Sequence, residues 1–506
     1  MRTPLFCVSS LLLSCALHAE VVLAPLFRDG AVLQREKPVP VWGVADPGEK
    51  VTVTFADKSA SAAAGTDGKW RVDLPALAAS GEARTLTVTG QKDVLTVNDV
   101  VVGEVWLASG QSNMEWVVKN TNSGGYEAIA ANWPLIRHYK AKRTVSDTPA
   151  AAVEGAWAAA TPAAVGEFTA VGYYFAVDLY RALGVPVGII NSSWGGTRVE
   201  AWMDPAAADV KKGPVFAAIH ERWAKALADY PAAKEKYDAS YKTWTAERDA
   251  AKEAGQPFTK RPPGAPWGPG HPATPSGLYN GMIAPLVPYA LRGTIWYQGE
   301  SNAGRANEYR ELFSAMITGW RSLFAQGDFP FYWVQLANYR ASGPDNTEYA
   351  FLRGAQTETL SLPNTGQAVI IDIGNVTDIH PRNKLDVGRR LALVALARDY
   401  GKADLIDSGP VFAAATRNGA SMVVTFESLK SPLISPLGVQ PPGFELAGAD
   451  QVFYPAEARI EGDTVVVTSA RVAEPVAVRY AWRNAPAAGL FNREGLPAVP
   501  FRSDNW

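Results

Sequence analysis

The most informative features of this sequence are its absences. Among 506 residues there are two cysteines, Cys7 and Cys15, and both fall in the first 19 positions. Past residue 19 there is no thiol, which excludes a disulfide framework, a cysteine nucleophile and a thiolate metal site. Histidine is nearly as scarce. Only His138, His220, His271 and His380 follow the N-terminal segment, with no H-E-x-x-H pair and no ligand spacing, so no metal centre is expected. A formal net charge of −2, with Lys and Arg spread along the chain, leaves no footprint for nucleic acid or an anionic membrane. No apolar run is long enough to span a bilayer.

What is present describes an ordinary globular protein carrying an export signal. Hydrophobic content of 47% and charged content of 19% suit a packed chain, and the length predicts about three domains. Residues 1–19 combine one positive charge, a short apolar stretch and a closing Ala19. They read as a secretory leader that delivers the protein to the periplasm or beyond. The run Leu12-Leu-Ser-Cys15 offers a lipoprotein alternative, weakened by Leu at its second position. Sixteen Trp and eighteen Tyr lean toward sugar recognition, although large cores also hold aromatics.

The chain then changes character several times. Residues 20–100 carry short alternating runs (Val39–Val44, Val51–Phe55, Trp70–Leu74) separated by Asp46-Pro-Gly48 and Asp67-Gly68 turns, which predicts a small β-sandwich. Strand and helix patterns alternate over 101–205, with a helix at 168–183 and a buried strand at 184–191, and again over 275–402. That second part holds strands at 294–297, 329–336 and 367–373 and helices at 308–324 and 384–400. Such alternation predicts a mostly parallel sheet with function at the carboxyl ends of its strands. Between the halves, 206–274 reads as an insertion. It has one or two solvated helices within 217–254, whose aromatic stripe predicts helix packing, then a Pro/Gly tract at 261–270 that can border an active site. Residues 403–506 return to β signals.

The chemistry concentrates in polar turns that follow strand-like runs: Gly110-Gln-Ser-Asn113, Trp194-Gly-Gly-Thr197, Gln298-Gly-Glu-Ser-Asn302 and Asp378-Ile-His380. In a parallel sheet these turns share one edge. Together they supply a serine, unobstructed backbone donors, side-chain amides and a His base, the inventory that acyl transfer needs. Simpler readings exist: Ser112 as the cap of a helix resuming at Met114, and Gly195-Gly196 as an ordinary turn. Glu115 and Glu300 could instead be read as a glycosidase pair, and the flanking β modules as those of a non-catalytic glycan binder.

These blocks, with Val32-Leu-Gln-Arg35, Trp296-Tyr-Gln-Gly-Glu300 and Glu494-Gly-Leu-Pro-Ala498, resemble the SGNH (GDSL-like) hydrolase superfamily in its sialate O-acetylesterase branch. The resemblance covers nearly the whole chain after the leader. It implies an α/β fold: a three-layer α/β/α, flavodoxin-like core with a parallel sheet, flanked by N- and C-terminal β-sandwich-like modules. It implies a serine esterase that removes acetyl groups from O-acetylated carbohydrate, sialic acid or plant hemicellulose, and needs no cofactor. By position, Ser112 is the nucleophile and His380 the base. The N–H groups of Ser112, Gly195 and Gly196 hold the oxyanion, with a side-chain amide from Gln298 or, second, Asn302. The usual acid position, three before the His, is Thr377 here. Asp378 is therefore the first candidate, Asp372 its rival, and a backbone carbonyl the third possibility.

Overall fold

A computed structural model describes residues 20–340, 346–427, 429–436, 438 and 440–506. The leader expected over residues 1–19, with both cysteines, lies outside the described residues.

The fold is α/β, built on an 11-stranded mixed sheet with further β-sheets at both ends of the chain. Its seven main strands are β1 (Val94–Gly110), β2 (Trp133–Lys140), β3 (Trp157–Ala160), β4 (Val187–Ser193), β5 (Gly293–Tyr297), β6 (Phe331–Val334) and β7 (Thr365–Ala368). They lie in the order β3-β2-β4-β1-β5-β6-β7. All are parallel to their neighbours except β3, which runs antiparallel to β2.

Strand β1 joins two regimes. Residues 94–99 are mostly exposed and pair antiparallel with Leu86–Thr89, whereas every residue from Val100 to Gly110 is buried. A one-sided antiparallel ladder thus becomes, without a break, the centre of a two-sided parallel sheet. The boundary expected at residue 100 falls inside this single strand, and the N-terminal strands share one continuous hydrophobic core with the α/β region. The C-terminal strands instead enclose a core of their own.

The chain leaves β1 for β2 and β4 on one side, then crosses to β5 on the other. In open α/β sheets that reversal opens a crevice at the carboxyl ends of the strands. Both faces of the sheet are covered. Trp106 on β1 meets Phe175 of a helix at Ala170–Leu183, while Trp296, facing the opposite way on β5, packs on Phe313 and Trp320 of a helix at Ala306–Phe324. The first helix begins at Thr169, whose hydroxyl accepts from the Gly172 N–H, and stops at left-handed Gly184, as its capping residues dictate.

One element departs from the sequence reading, and the insertion takes one of its two expected forms. The strand expected over 367–373 pairs only to Ala368. Beyond it, Ile370 packs into the main core while Val369 and Ile371 pack into the C-terminal one, so an apolar run that resembles a strand serves two cores. The insertion is one 40-residue helix, Pro214–Glu253, which continues through Pro231. Tyr237, Tyr241 and Trp244 stack in series along it, and Trp244 Nε1 donates to Lys260 O just before the Pro/Gly tract. Trp244, at the end of the stripe, packs against Phe258 and Lys260 of the returning segment rather than a second helix.

Candidate active site

The serine turn is shaped by backbone needs at the end of β1. Gly110 has φ +134°, and a Cβ there would lie 2.2 Å from Tyr297 O of the neighbouring strand, so only glycine fits. Gln111 N donates to Tyr297 O at 3.0 Å. A single helical turn, Ser112–Glu115, follows, and the backbone at Trp116 is already extended. The helix expected after Met114 is therefore one turn long. Gln111, not Ser112, occupies its capping position, which leaves the serine hydroxyl for other work.

That hydroxyl lies 2.8 Å from His380 Nε2, joining residues 268 apart in the chain. The imidazole stacks on Trp116, ring centroids 5.1 Å apart and planes 17° from parallel. Burial first, and then the Lys384 cation, lower its pKa below the usual histidine value, against a smaller opposing effect of Asp378. The ring is thus held neutral and ready to accept a proton. Asp378 Oδ1 accepts the backbone N–H of His380 at 2.9 Å and stands 3.7 Å from Nδ1, beyond hydrogen-bond length. Its rival is engaged elsewhere: Asp372 forms a bidentate pair with Arg390 at 2.6 and 2.7 Å. Thr377 hydrogen-bonds Asn375 Oδ1 instead.

The expected oxyanion donors separate into two groups. The Trp194-Gly-Gly-Thr197 turn does reach the serine: a Cβ on Gly195 would lie 3.1 Å from Ser112 Cβ. The Gly195 N–H, however, already donates to Glu115 Oε2 at 2.9 Å, and Glu115 is itself paired with Arg143. Gln298 is fully buried; its Nε2 donates to Asn302 Oδ1 at 2.7 Å and Thr197 O at 3.2 Å, and its Oε1 accepts from Tyr309 Oη. Asn302 Nδ2 donates to Glu200 Oε2 at 2.8 Å, and its Oδ1 also accepts from Val199 N. In this resting structure the Gln298 amide, the Gly195 N–H and one Asn302 amide hydrogen, each expected as an oxyanion donor, are engaged within the protein. The N–H groups of Ser112 and Gly196 donate to no protein acceptor among the described residues.

Glu115 and Glu300 do not form an acid–base pair across a cleft. Glu115 secures the Gly195 turn, and Glu300 Oε1 accepts from Asn113 Nδ2 at 2.6 Å. Among the described residues no group of three or more His, Cys, Asp or Glu could hold a metal ion. The sequence reading did not anticipate three participants: Trp116 beneath the imidazole, Arg143 behind Glu115, and Lys384 bonded to Asn113. The one signal for the last was a lysine opening an otherwise amphipathic helix.

A family model described as "Carbohydrate esterase, sialic acid-specific acetylesterase" matches residues 266–395. Sialate O-acetylesterase of Rattus norvegicus is 31% identical over 417 residues, covering 75% of this chain and 74% of that protein. The Homo sapiens protein of the same name is 29% identical over 430 residues, covering 77% and 73%. A solved carbohydrate acetylesterase from Xanthomonas citri is 44% identical, with a TM-score of 0.82, and covers 96% of this chain and 100% of that one.

Proposed function

The chain belongs to the sialate O-acetylesterase family and is a carboxylic ester hydrolase, and on that premise we propose that it removes acetyl groups from O-acetylated sugars through an acetyl-enzyme at Ser112. The observation that carries this is the 2.8 Å contact between Ser112 Oγ and His380 Nε2. His380 takes the hydroxyl proton as the oxygen attacks the ester carbonyl. The tetrahedral oxyanion forms against the Ser112 and Gly196 N–H groups. Collapse releases the sugar, whose oxygen receives the proton from His380. Water, deprotonated in turn by His380, then frees acetate.

Asp378 is the group that stabilises the imidazolium. At 3.7 Å it is poised rather than bonded, a common resting geometry that tightens when charge develops. The parallel strand order, with helices packed on both sheet faces, supports an SGNH-type three-layer core. The acetylated sugar is sialic acid or a hemicellulose such as xylan or xyloglucan, and the leader over residues 1–19 would place the enzyme in the periplasm or outside the cell.

The test is hydrolysis of p-nitrophenyl acetate and of acetylated glycans. Ser112→Ala is expected to lose about a thousandfold or more in kcat. A variant as active as the parent would overturn the mechanism. Acetate release across sialylated and hemicellulosic substrates selects the sugar.

A further inference from the structure

Beneath the serine and histidine lies a second constellation with no part in the proton transfers above. Asn113, 1% exposed, follows the nucleophile directly. Its Nδ2 donates to Ile379 O at 3.0 Å and to Glu300 Oε1 at 2.6 Å, and its Oδ1 accepts from Lys384 Nζ. Ile379 directly precedes His380. One amide therefore ties the residue after the nucleophile to the residue before the base, bridging two loops that sequence alone does not connect. Lys384 is fully buried, with its ammonium 5.1 Å from the Tyr297 ring centroid. The second Glu300 oxygen is buried without a partner among the described residues.

A buried lysine that reaches its nearest acid only through an amide is a poor device for stability, since desolvating the charge outweighs what a neutral acceptor returns. We propose that Lys384, acting through Asn113, is a positioning residue that locks the His380 loop against the Ser112 turn. This rests on the serine esterase reading of the site. The groups that face Lys384 are Glu300, Asp378, His380 and the Tyr297 ring. Burial brings the lysine down to about 7 and raises Glu300. In the acidic range where His380 titrates, the lysine is charged. It helps hold the imidazole neutral, so its removal moves the acid limb of the rate profile upward.

The experiment compares Lys384→Met with the parent on p-nitrophenyl acetate. The variant should lose about a hundredfold in kcat with KM nearly unchanged, the scale of a small misplacement of reacting groups. The acid limb of kcat/KM should rise by about half a pH unit, while the thermal midpoint stays level or increases. A merely structural lysine would give the reverse: lower stability, with turnover per folded molecule and pH profile intact, and that result overturns the proposal. If Lys384→Met fails to fold, Asn113→Asp decides. It keeps an acceptor for the lysine and removes the tie to Ile379 O, so a kcat within about twofold of the parent overturns the proposal and a loss of about tenfold or more supports it. A parent enzyme inactive on every acetyl ester would sink the esterase reading instead, a separate outcome.

Discussion

Two turns at adjacent strand ends look alike in sequence and differ in what they leave available. Gly110-Gln-Ser-Asn113 follows β1 and Gln298-Gly-Glu-Ser-Asn302 follows β5, both rich in amides and hydroxyls. In the first, among the described residues, the serine hydroxyl hydrogen-bonds His380 alone and the Ser112 N–H is without a protein acceptor. In the second, Gln298 and Asn302 bond each other, the Thr197 carbonyl, the Val199 N–H and Glu200. The β5 turn therefore braces the 194–200 segment, which in turn places Gly195 against Ser112. Residue type at a strand end does not separate reacting groups from bracing ones. The separation lies in whether hydrogen-bonding capacity is already committed within the protein.

The sharpest way to break this comparison acts where the two turns meet. Gly195 is unobstructed only because it lacks a side chain: a Cβ would come 3.1 Å from Ser112 Cβ and 3.2 Å from Glu115 Oε2. Gly195→Ala is expected to push the serine turn away from His380 and lower kcat by about a hundredfold, while Tm changes little. Unimpaired turnover would mean that the turn tolerates displacement and that the close packing has no catalytic role.

A smaller effect separates the two aspartates. Asp378→Asn should lower kcat about tenfold, because the imidazolium loses the carboxylate 3.7 Å from its Nδ1 while the loop keeps an acceptor for the His380 N–H. Asp372→Asn should leave kcat per folded enzyme unchanged but cost about 2 kcal/mol in urea unfolding, since it leaves a largely buried Arg390 without its pair. Equal mild losses of turnover from both would favour a serine–histidine dyad.

Local pattern made much of the framework legible. Apolar periodicity marks the helix expected at 168–183 and found at 170–183, and the runs read as strands at 184–191 and 294–297 mark β4 and β5. Patterns do not report which core a residue enters, so Ile370 and Ile371 read as one strand although they face different interiors. Nor do they reveal continuity, and β1 crosses what composition suggests is a boundary. At the site, Ser112 and His380 were legible because each closes a strand-like run with a reactive side chain. The commitments of Gln298, Asn302 and Gly195 were not, since their partners Glu200, Thr197 and Glu115 become neighbours only through the strand crossover.

The smallest change in turnover is expected from the residue that sequence reasoning made first choice for the side-chain amide completing the oxyanion hole. Gln298→Ala removes a fully buried amide and strands the Asn302 Oδ1, the Thr197 carbonyl and the Tyr309 hydroxyl with one partner fewer. Losses of this kind cost about 1–3 kcal/mol, read as a lower urea midpoint. Turnover per folded molecule should stay within about threefold of the parent, because no transition-state contact is removed. An oxyanion donor would behave oppositely: its loss lowers kcat by about a hundred- to a thousandfold with little change in stability. If Gln298→Ala gives that second signature, the amide turns toward substrate during the reaction, and the bracing role assigned to the β5 turn describes only the resting enzyme.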